Sequence, residues 1–527
     1  SGTRLERYGS GPICTPARAA LMTGRHPYRT GVTDAYLGRS MIHPSERTLA
    51  QVLAGAGYHC GLFGKWHLGD CFPMRPQDLG FHKVIMHRGG GLRQPGCFGN
   101  GSYFDPVLEE DGRTRLFHGY CTDIFFEEGM RFIDQAVEEG KPFFTYVATN
   151  APHSPFEVPE KWIQRRRGAD LPEAWARLYG MVENIDWNVG RIRAFLENRG
   201  LADNTLVVFT SDHGPCPSAN GPDGSVRYNA GLCERKATLY EGGIRVPSFW
   251  SLPGTIPEGR SVDRLANAID ILPTLAAFAG ADLPRDRILD GRSLHGLITG
   301  AEDPANWPDR EVVMQWQRRN TPVHRECFCV MTQRYKLIRP EGAGQPELYD
   351  LEVDPGESRD LAGANPERVA RFLATYDRWW ESVTNERPDN FAPPPIVLGD
   401  ARSPEVVLTP QDWRLPDSVK DVPGIWGVHQ PGTWVVEVRE GRPFTIRVEL
   451  PVGCRGAPLR LRCGGWTAEV PTDTGPGNTV FLPSVTVELS GVRLPAGRHE
   501  FTATWQGPDG RPMGVLQVML AAEQGDP

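Results

Sequence analysis

Apolar residues recur at intervals of three and four between residues 172 and 198: Trp175, Leu178, Met181, Val182, Ile185, Val189, Ile192 and Phe195. That period predicts a helix with one buried face. Gly200 follows as its terminator, because glycine takes the left-handed conformation a helix end needs. Other segments are continuous apolar runs. Residues 58–63, 143–148 and 206–210 each read as a strand buried on both faces. Residues 267–279 read as another helix. Strands alternating with helices through residues 1–305 predict an α/β domain on a mainly parallel sheet flanked by helices.

The pattern then changes twice. Short antiparallel strands are predicted at 312–314, 327–331, 335–338 and 347–351, followed by a helix at 366–383, so residues 306–388 form a small α+β unit. The run Phe391-Ala392-Pro393-Pro394-Pro395 reads as a linker. Beyond it, residues 396–527 show period-two segments at 433–438, 444–450, 485–489 and 500–505 between Gly- and Pro-bearing turns. This predicts an extra C-terminal β-sandwich, an accessory domain. Trp426, Trp434, Trp466 and Trp505 lie in it. They offer faces for sugar rings, although core packing is the commoner use of tryptophan.

A net charge of −8 over 527 residues gives no basic footprint for nucleic acid. No apolar run is long enough to span a membrane. The 11 cysteines include no Cys-x-x-Cys zinc pattern. Cys327 and Cys329 are two apart, and Cys454 and Cys463 are close enough for a hairpin disulfide, which spacing alone does not decide. Asn100-Gly101-Ser102 is the one glycosylation sequon.

The chemistry begins at Cys14-Thr15-Pro16-Ala17-Arg18, continued by Ala19-Ala20-Leu21-Met22-Thr23-Gly24-Arg25. Thr15 reads as an N-cap, Pro16 as the first helical residue, and the alanines as strong helix formers. Cys14 then faces the positive end of a helix, with the Arg18 guanidinium one turn on, a place suited to an oxyanion. Gly57-Tyr58-His59-Cys60-Gly61-Leu62-Phe63-Gly64-Lys65-Trp66-His67-Leu68-Gly69 reads as a strand ended by a turn at Gly64. Lys65 and His67 emerge at its carboxyl end, where open α/β sheets bind ligands.

The first run resembles the signature of the type I sulfatases, and the second resembles that family's Gly-Lys-Trp-His motif. Ala151-Pro152-His153, Ser211-Asp212-His213-Gly214, and the stretch from Asn229 through Lys236 to Pro247 resemble three more family segments. The resemblance implies an alkaline-phosphatase-like α/β fold, with residues 306–388 as the small arylsulfatase subdomain. The tail is similar to accessory β-domains of some bacterial sulfatases. It also implies that a formylglycine-generating enzyme oxidises Cys14 to an aldehyde that hydrates to a geminal diol. By the same resemblance, Arg18 steadies that group, Lys65 and Lys236 bind sulfate oxygens, His67 is the base that releases the product, and His153 is the acid for the leaving oxygen or binds sulfate. Glu241 to Pro247 shapes the surroundings.

Calcium is the implied metal, held by the Cys14-derived group, Asp212 and His213. The family's first strand, ending in two acidic ligands, is expected upstream of Cys14 and is not found. The chain is therefore expected to lack its native N-terminus, any signal segment included, to bind calcium weakly, and to leave unpaired strand edges in the sheet. A periplasmic or secreted location is expected from the resemblance. The implied function is hydrolysis of a sulfate ester on a sulfated carbohydrate or aryl sulfate, sugars being favoured by the appended domain. A phosphonate monoester or phosphodiester hydrolase of the same superfamily is the alternative enzyme, and a non-catalytic carbohydrate-binding remnant is the alternative class.

Overall fold

A computed structural model describes residues 2–94, 96–97, 101–167, 171–216, 226–342, 344–416, 430–439, 441–472 and 484–523. The α/β reading of the first 305 residues stands, with more mixed pairing than a mainly parallel sheet. One five-stranded sheet runs in the order Arg113–Leu116, Val107–Glu110, Lys83–His87, His59–Lys65, Phe143–Ala148. Only the last three are mutually parallel; the first two form an antiparallel extension. A second sheet orders Arg260–Val262, Thr3–Leu5, Ser248–Ser251 and Val207–Thr210, with one parallel pair. Among the described residues, Phe143–Ala148 and Val207–Thr210 are each paired along one edge only. The latter is less buried than its apolar run suggests, for Phe209 is 37 % exposed.

Two local readings change at the site itself. The helix spans Cys14–Thr23 with Ile13 at its N-cap, so Cys14 is the first helical residue and Thr15 is not the cap. Gly64 is not a turn: the strand continues through it to Lys65. Its φ is +123°, and a Cβ there would stand 2.0 Å from the Ala148 carbonyl oxygen. Glycine thus lets two parallel strands close up while Lys65 is carried to the sheet edge.

The long helix is Glu173–Asn198, with Gly200 in the left-handed region as expected. Its buried side is partly polar. Asn184 and Asn188 are buried and both donate to Asp123 Oδ1, at 2.8 and 2.7 Å, tying this helix to Cys121–Glu138. Val182, placed by periodicity on the buried face, is 45 % exposed.

Residues 306–388 hold the antiparallel sheet Val312–Gln315, Phe328–Met331, Tyr335–Arg339, Glu347–Asp350, in chain order. The helix Pro366–Glu386 buries Phe372, Tyr376 and Val383 in one apolar cluster with Phe328 and Leu337 of that sheet.

The C-terminal region consists of two sheets. One orders Ile396–Leu398, Trp434–Val438, Gly497–Gln506, Leu459–Cys463 and Trp466–Val470, with Pro512–Gly514 beside Gly497–Gln506. The other orders Glu405–Leu408, Gln517–Ala522, Phe444–Pro451 and Ser484–Val492. Alternate residues of both, among them Val436, Phe501, Ile446, Val448 and Val518, share one core. Trp434 and Trp505 are buried in it, so packing accounts for them; Trp466 is half-buried, and Trp426 lies outside the described residues. The sequon at Asn100 also falls outside them. Cys454 and Cys463 are buried free thiols, without a disulfide between them.

Residues 391–395 do not behave as a linker. Phe391, Pro393 and Pro394 are buried, and the Phe391 ring sits 5.5 Å from that of Tyr28. Val397 N–H then donates to Phe72 O at 3.0 Å, and the Cys71 thiol donates to Val407 O at 3.4 Å. The C-terminal core is continuous with that of the α/β region.

Candidate active site

Five chain segments deliver the site. Cys14 opens the helix Cys14–Thr23, and Arg18 stands one turn further along it, both buried. Arg18 is clamped from three sides. Its Nε and Nη2 donate to Asp212 Oδ2 at 3.1 and 2.9 Å, and its Nη1 donates to the Lys65 carbonyl at 2.8 Å. The same Nη1 is 3.5 Å from the Tyr146 hydroxyl. Burial works against ionisation of Asp212, but His213 and Arg18 outweigh it and hold the carboxyl well below the usual range.

His213 directs its chemistry inward. Nδ1 is 2.8 Å from Gly214 O and must be the donor there, so Nε2 is the ring nitrogen turned to the site. Nε2 lies 3.4 Å from Cys14 Sγ and 3.4 Å from Asp212 Oδ1. Cys14, Asp212 and His213 are the described trio whose donor atoms lie within 4.8 Å of one another. The three residues named as metal ligands from sequence therefore meet. Calcium takes six to eight oxygen ligands. Three donors, one of them nitrogen and one carboxylate already clamped by Arg18, do not make that cage among the described residues.

Two lysines flank the helix mouth. Lys65, 2 % exposed, is the last residue of its strand. Lys236 lies on a loop laid across the helix start, where Lys236 N–H donates to Pro215 O at 3.0 Å and Ala237 N–H to Pro12 O at 2.8 Å. Burial opposes ionisation of the Cys14 thiol, yet Lys236, Lys65 and His213 together hold it well below its ordinary value. Burial, with Arg18 and Lys236 nearby, pushes the Lys65 ammonium down. Position 14 is therefore where negative charge is favoured.

The two histidines differ in their anchors. His67, at φ +62°, places Nε2 at 2.7 Å from Ala35 O, so Nε2 carries the proton and donates. Its Nδ1 is buried with no hydrogen-bond partner of its own, and the Cys14 side chain is among those that interact with the ring. Burial and Lys65 push this imidazole down to about 4, which keeps it neutral and Nδ1 unprotonated. Gly90 covers the ring: a Cβ there would come within 2.8 Å of His67 Nε2. His153 holds Ser154 O through Nδ1 at 2.8 Å, and Tyr103 Oη donates to its carbonyl at 2.7 Å. Burial, Lys65 and Lys236 push it down to about 4 as well.

All eight residues named from sequence thus belong to one locality. Sequence reading did not find Tyr146, the Ala35 carbonyl or Gln411. Gln411 reaches in from the C-terminal region and donates through Nε2 to Ala35 O at 2.7 Å and Ser40 Oγ at 2.9 Å. A backbone carbonyl has no side-chain signature, and Gln411 lies in no motif of its own.

A buried nucleophile position ringed by three fixed cations and two neutral imidazoles suits transfer of a tetrahedral anionic group. The family model described as Sulfatase matches residues 1–281, more than half of the chain. The chain belongs to the sulfatase family. A second family model, N-sulphoglucosamine sulphohydrolase, C-terminal, matches residues 231–374. Arylsulfatase A of Homo sapiens is 31% identical over 412 residues, covering 67% of this chain and 76% of that protein. Steryl-sulfatase of Rattus norvegicus is 32% identical over 380 residues, covering 57% of this chain and 64% of that protein, so the chain spans just under two thirds of that relative. Among solved structures, Ps i-CgsB in complex with k-i-k-neocarrahexaose superposes with a TM-score of 0.64 at 26% identity, covering 72% of this chain and 85% of that one. No described helix is long and apolar enough to cross a membrane.

Proposed function

We propose that this sulfatase-family chain hydrolyses sulfate esters, with Cys14 oxidised to formylglycine as the nucleophile. The observation that carries the reading is the convergence of Arg18, Lys65 and Lys236 on the buried first residue of a helix, in a chain of this family. Formylglycine supplies an aldehyde hydrate, whose one hydroxyl attacks sulfur and whose other, on losing its proton, expels sulfate and restores the aldehyde. Overall, ester and water give alcohol, sulfate and a proton.

The chain's own groups do the rest. Lys65 and Lys236 hold the sulfate oxygens and stabilise the charge shared among them as the ester bond breaks. Arg18, locked by Asp212 and Lys65 O, keeps its guanidinium against position 14 without reorganising. His67 Nδ1 accepts the hydroxyl proton, having no other partner. His153 carries the proton for the leaving alcohol. Burial and the two lysines disfavour the charged imidazole, and an anion held by those lysines offsets their part of that effect.

The Cys14-derived group, Asp212 and His213 are proposed as part of the ligand set of a divalent cation, calcium in the family reading, which would need further oxygen donors. The substrate class is a sulfated carbohydrate: a relative is named N-acetylgalactosamine-6-sulfatase, and Ps i-CgsB was solved with a neocarrahexaose. A periplasmic or secreted site of action and a formylglycine-generating enzyme as partner complete the proposal.

The test is co-expression with a formylglycine-generating enzyme, peptide mass spectrometry across Cys14, and assay on 4-nitrophenyl sulfate, 4-nitrophenyl phosphate and sulfated oligosaccharides. Converted protein is expected to prefer sulfate esters, and Cys14→Ala to be inactive. Faster turnover of the phosphate ester by converted protein would overturn the assignment.

A further inference from the structure

The Ala35 carbonyl accepts two hydrogen bonds. One comes from His67 Nε2 at 2.7 Å and the other from Gln411 Nε2 at 2.7 Å, leaving the two nitrogens 3.4 Å apart. Gln411, Ala35, Ser40 and His67 are all buried, with Gln411 only 2 % exposed. The amide orientation follows from its partners. Turned the other way, Gln411 would set Oε1 against the Ala35 carbonyl oxygen, acceptor on acceptor, and the bond would be lost.

Gln411 is itself held from both sides. Its N–H donates to Thr409 Oγ1 at 3.2 Å, and its carbonyl accepts from Gly38 N–H at 2.9 Å. Trp434 Nε1 donates to Thr409 O at 2.8 Å, which fastens the turn to the C-terminal sheets. The residue is a rigid strut from those sheets to the histidine.

We propose that Gln411 is a positioning residue for His67. It fixes the Ala35 carbonyl 2.7 Å from His67 Nε2, where of the two neutral tautomers only Nε2–H can bond to it, and so leaves Nδ1 unprotonated. The inference rests on the reading of His67 as the base. It gives the C-terminal region a part in the chemistry, carried by one amide that acts through a backbone carbonyl.

The experiment uses the full chain, converted at Cys14, with 4-nitrophenyl sulfate as probe. Gln411→Met keeps the length of the side chain and removes the donor. It is expected to lower kcat about tenfold to hundredfold, the usual effect of losing a group that orients a site histidine, with KM within about twofold. In a His67→Ala background the same change is expected to do nothing further, since both act on one event. Histidine-¹⁵N spectra, read without turnover, are expected to show His67 as the Nε2–H tautomer in the parent and as a mixture in Gln411→Met. Gln411→Glu, which exchanges the donor for an acceptor, serves if the methionine variant does not fold, and predicts the same loss or more. An unchanged kcat, an equal loss in the His67→Ala background, or an unchanged tautomer would each overturn the proposal. An inactive parent whose tautomer still shifts on substitution would uphold the positioning role and sink the hydrolase reading instead.

Discussion

The mouth of the helix Cys14–Thr23 and the turn around Gln411 touch the same centre, yet they differ in almost everything else. The first is a contiguous run in which nucleophile, helix start and cation lie within five residues. Its chemistry is local: a helix N-terminus favours an anion, and the residue one turn on faces the same way. The second contributes one neutral amide from a region that alternates like an independent β-domain. It acts only because Thr409, Trp434 and Gly38 bring it against Ala35. A region whose pattern suggests autonomy is thus joined to the catalytic region by a continuous core. Period-two alternation shows that a strand has an inside; it does not show which neighbour covers the sheet's end.

Four changes to the chain bear on that contrast. The largest effect is expected from breaking the junction. Truncation after residue 395 should abolish soluble, cooperatively melting protein, since it bares Cys71, Phe72 and the core around them. Trp434→Ala, a milder cut, should cost about 3–5 kcal/mol in denaturant unfolding and lower activity with it. If the truncated chain melted like the parent, the two regions would be separate modules after all.

Next comes a change confined to the helix mouth. Lys65→Met should reduce kcat/KM for 4-nitrophenyl sulfate by about a hundredfold to a thousandfold. Thermal stability should hold or rise, because a buried ammonium beside Arg18 and Lys236 is relieved. A fall in melting temperature would show Lys65 to be structural.

The smallest effect belongs to the seam. Burial raises Asp70 to about 6 against the pull of Arg88 and the Gly89 N–H, and burial with Asp70 close by raises Asp412 well above the carboxylate range. A carboxyl whose folded pKa lies above its unfolded one favours the fold when protonated. Its contribution is complete below about pH 4 and disappears as pH rises through about 6. Melting temperature should therefore carry a component that declines across that window, and Asp412→Asn, which cannot ionise, should flatten it. A slope identical in the variant would remove these two groups from the account.

Much of this was legible before any coordinates. The helices at 173–198 and 271–279, the strands at 59–65 and 143–148, and the antiparallel unit after 312 follow apolar periodicity closely. The misreadings have local causes. Gly64 looks like a turn because glycine usually is one, but here it answers a carbonyl 2.0 Å from its missing Cβ. Val182 fits the helix period, yet two buried asparagines take the inner face because Asp123 gives them a partner. The proline run reads as a spacer, yet Phe391 beside it packs edge-on against Tyr28.

By itself the sequence determined which residue types could do chemistry and where short elements begin and end, for motif spacing and periodicity act over a few residues. Only the tertiary structure decided that eight dispersed side chains meet, that His67 turns Nδ1 inward, and that an amide nearly four hundred residues downstream of Cys14 supports it. Those outcomes depend on hydrogen bonds and burial between segments far apart in the chain, and such partners leave no mark on the local pattern of either one.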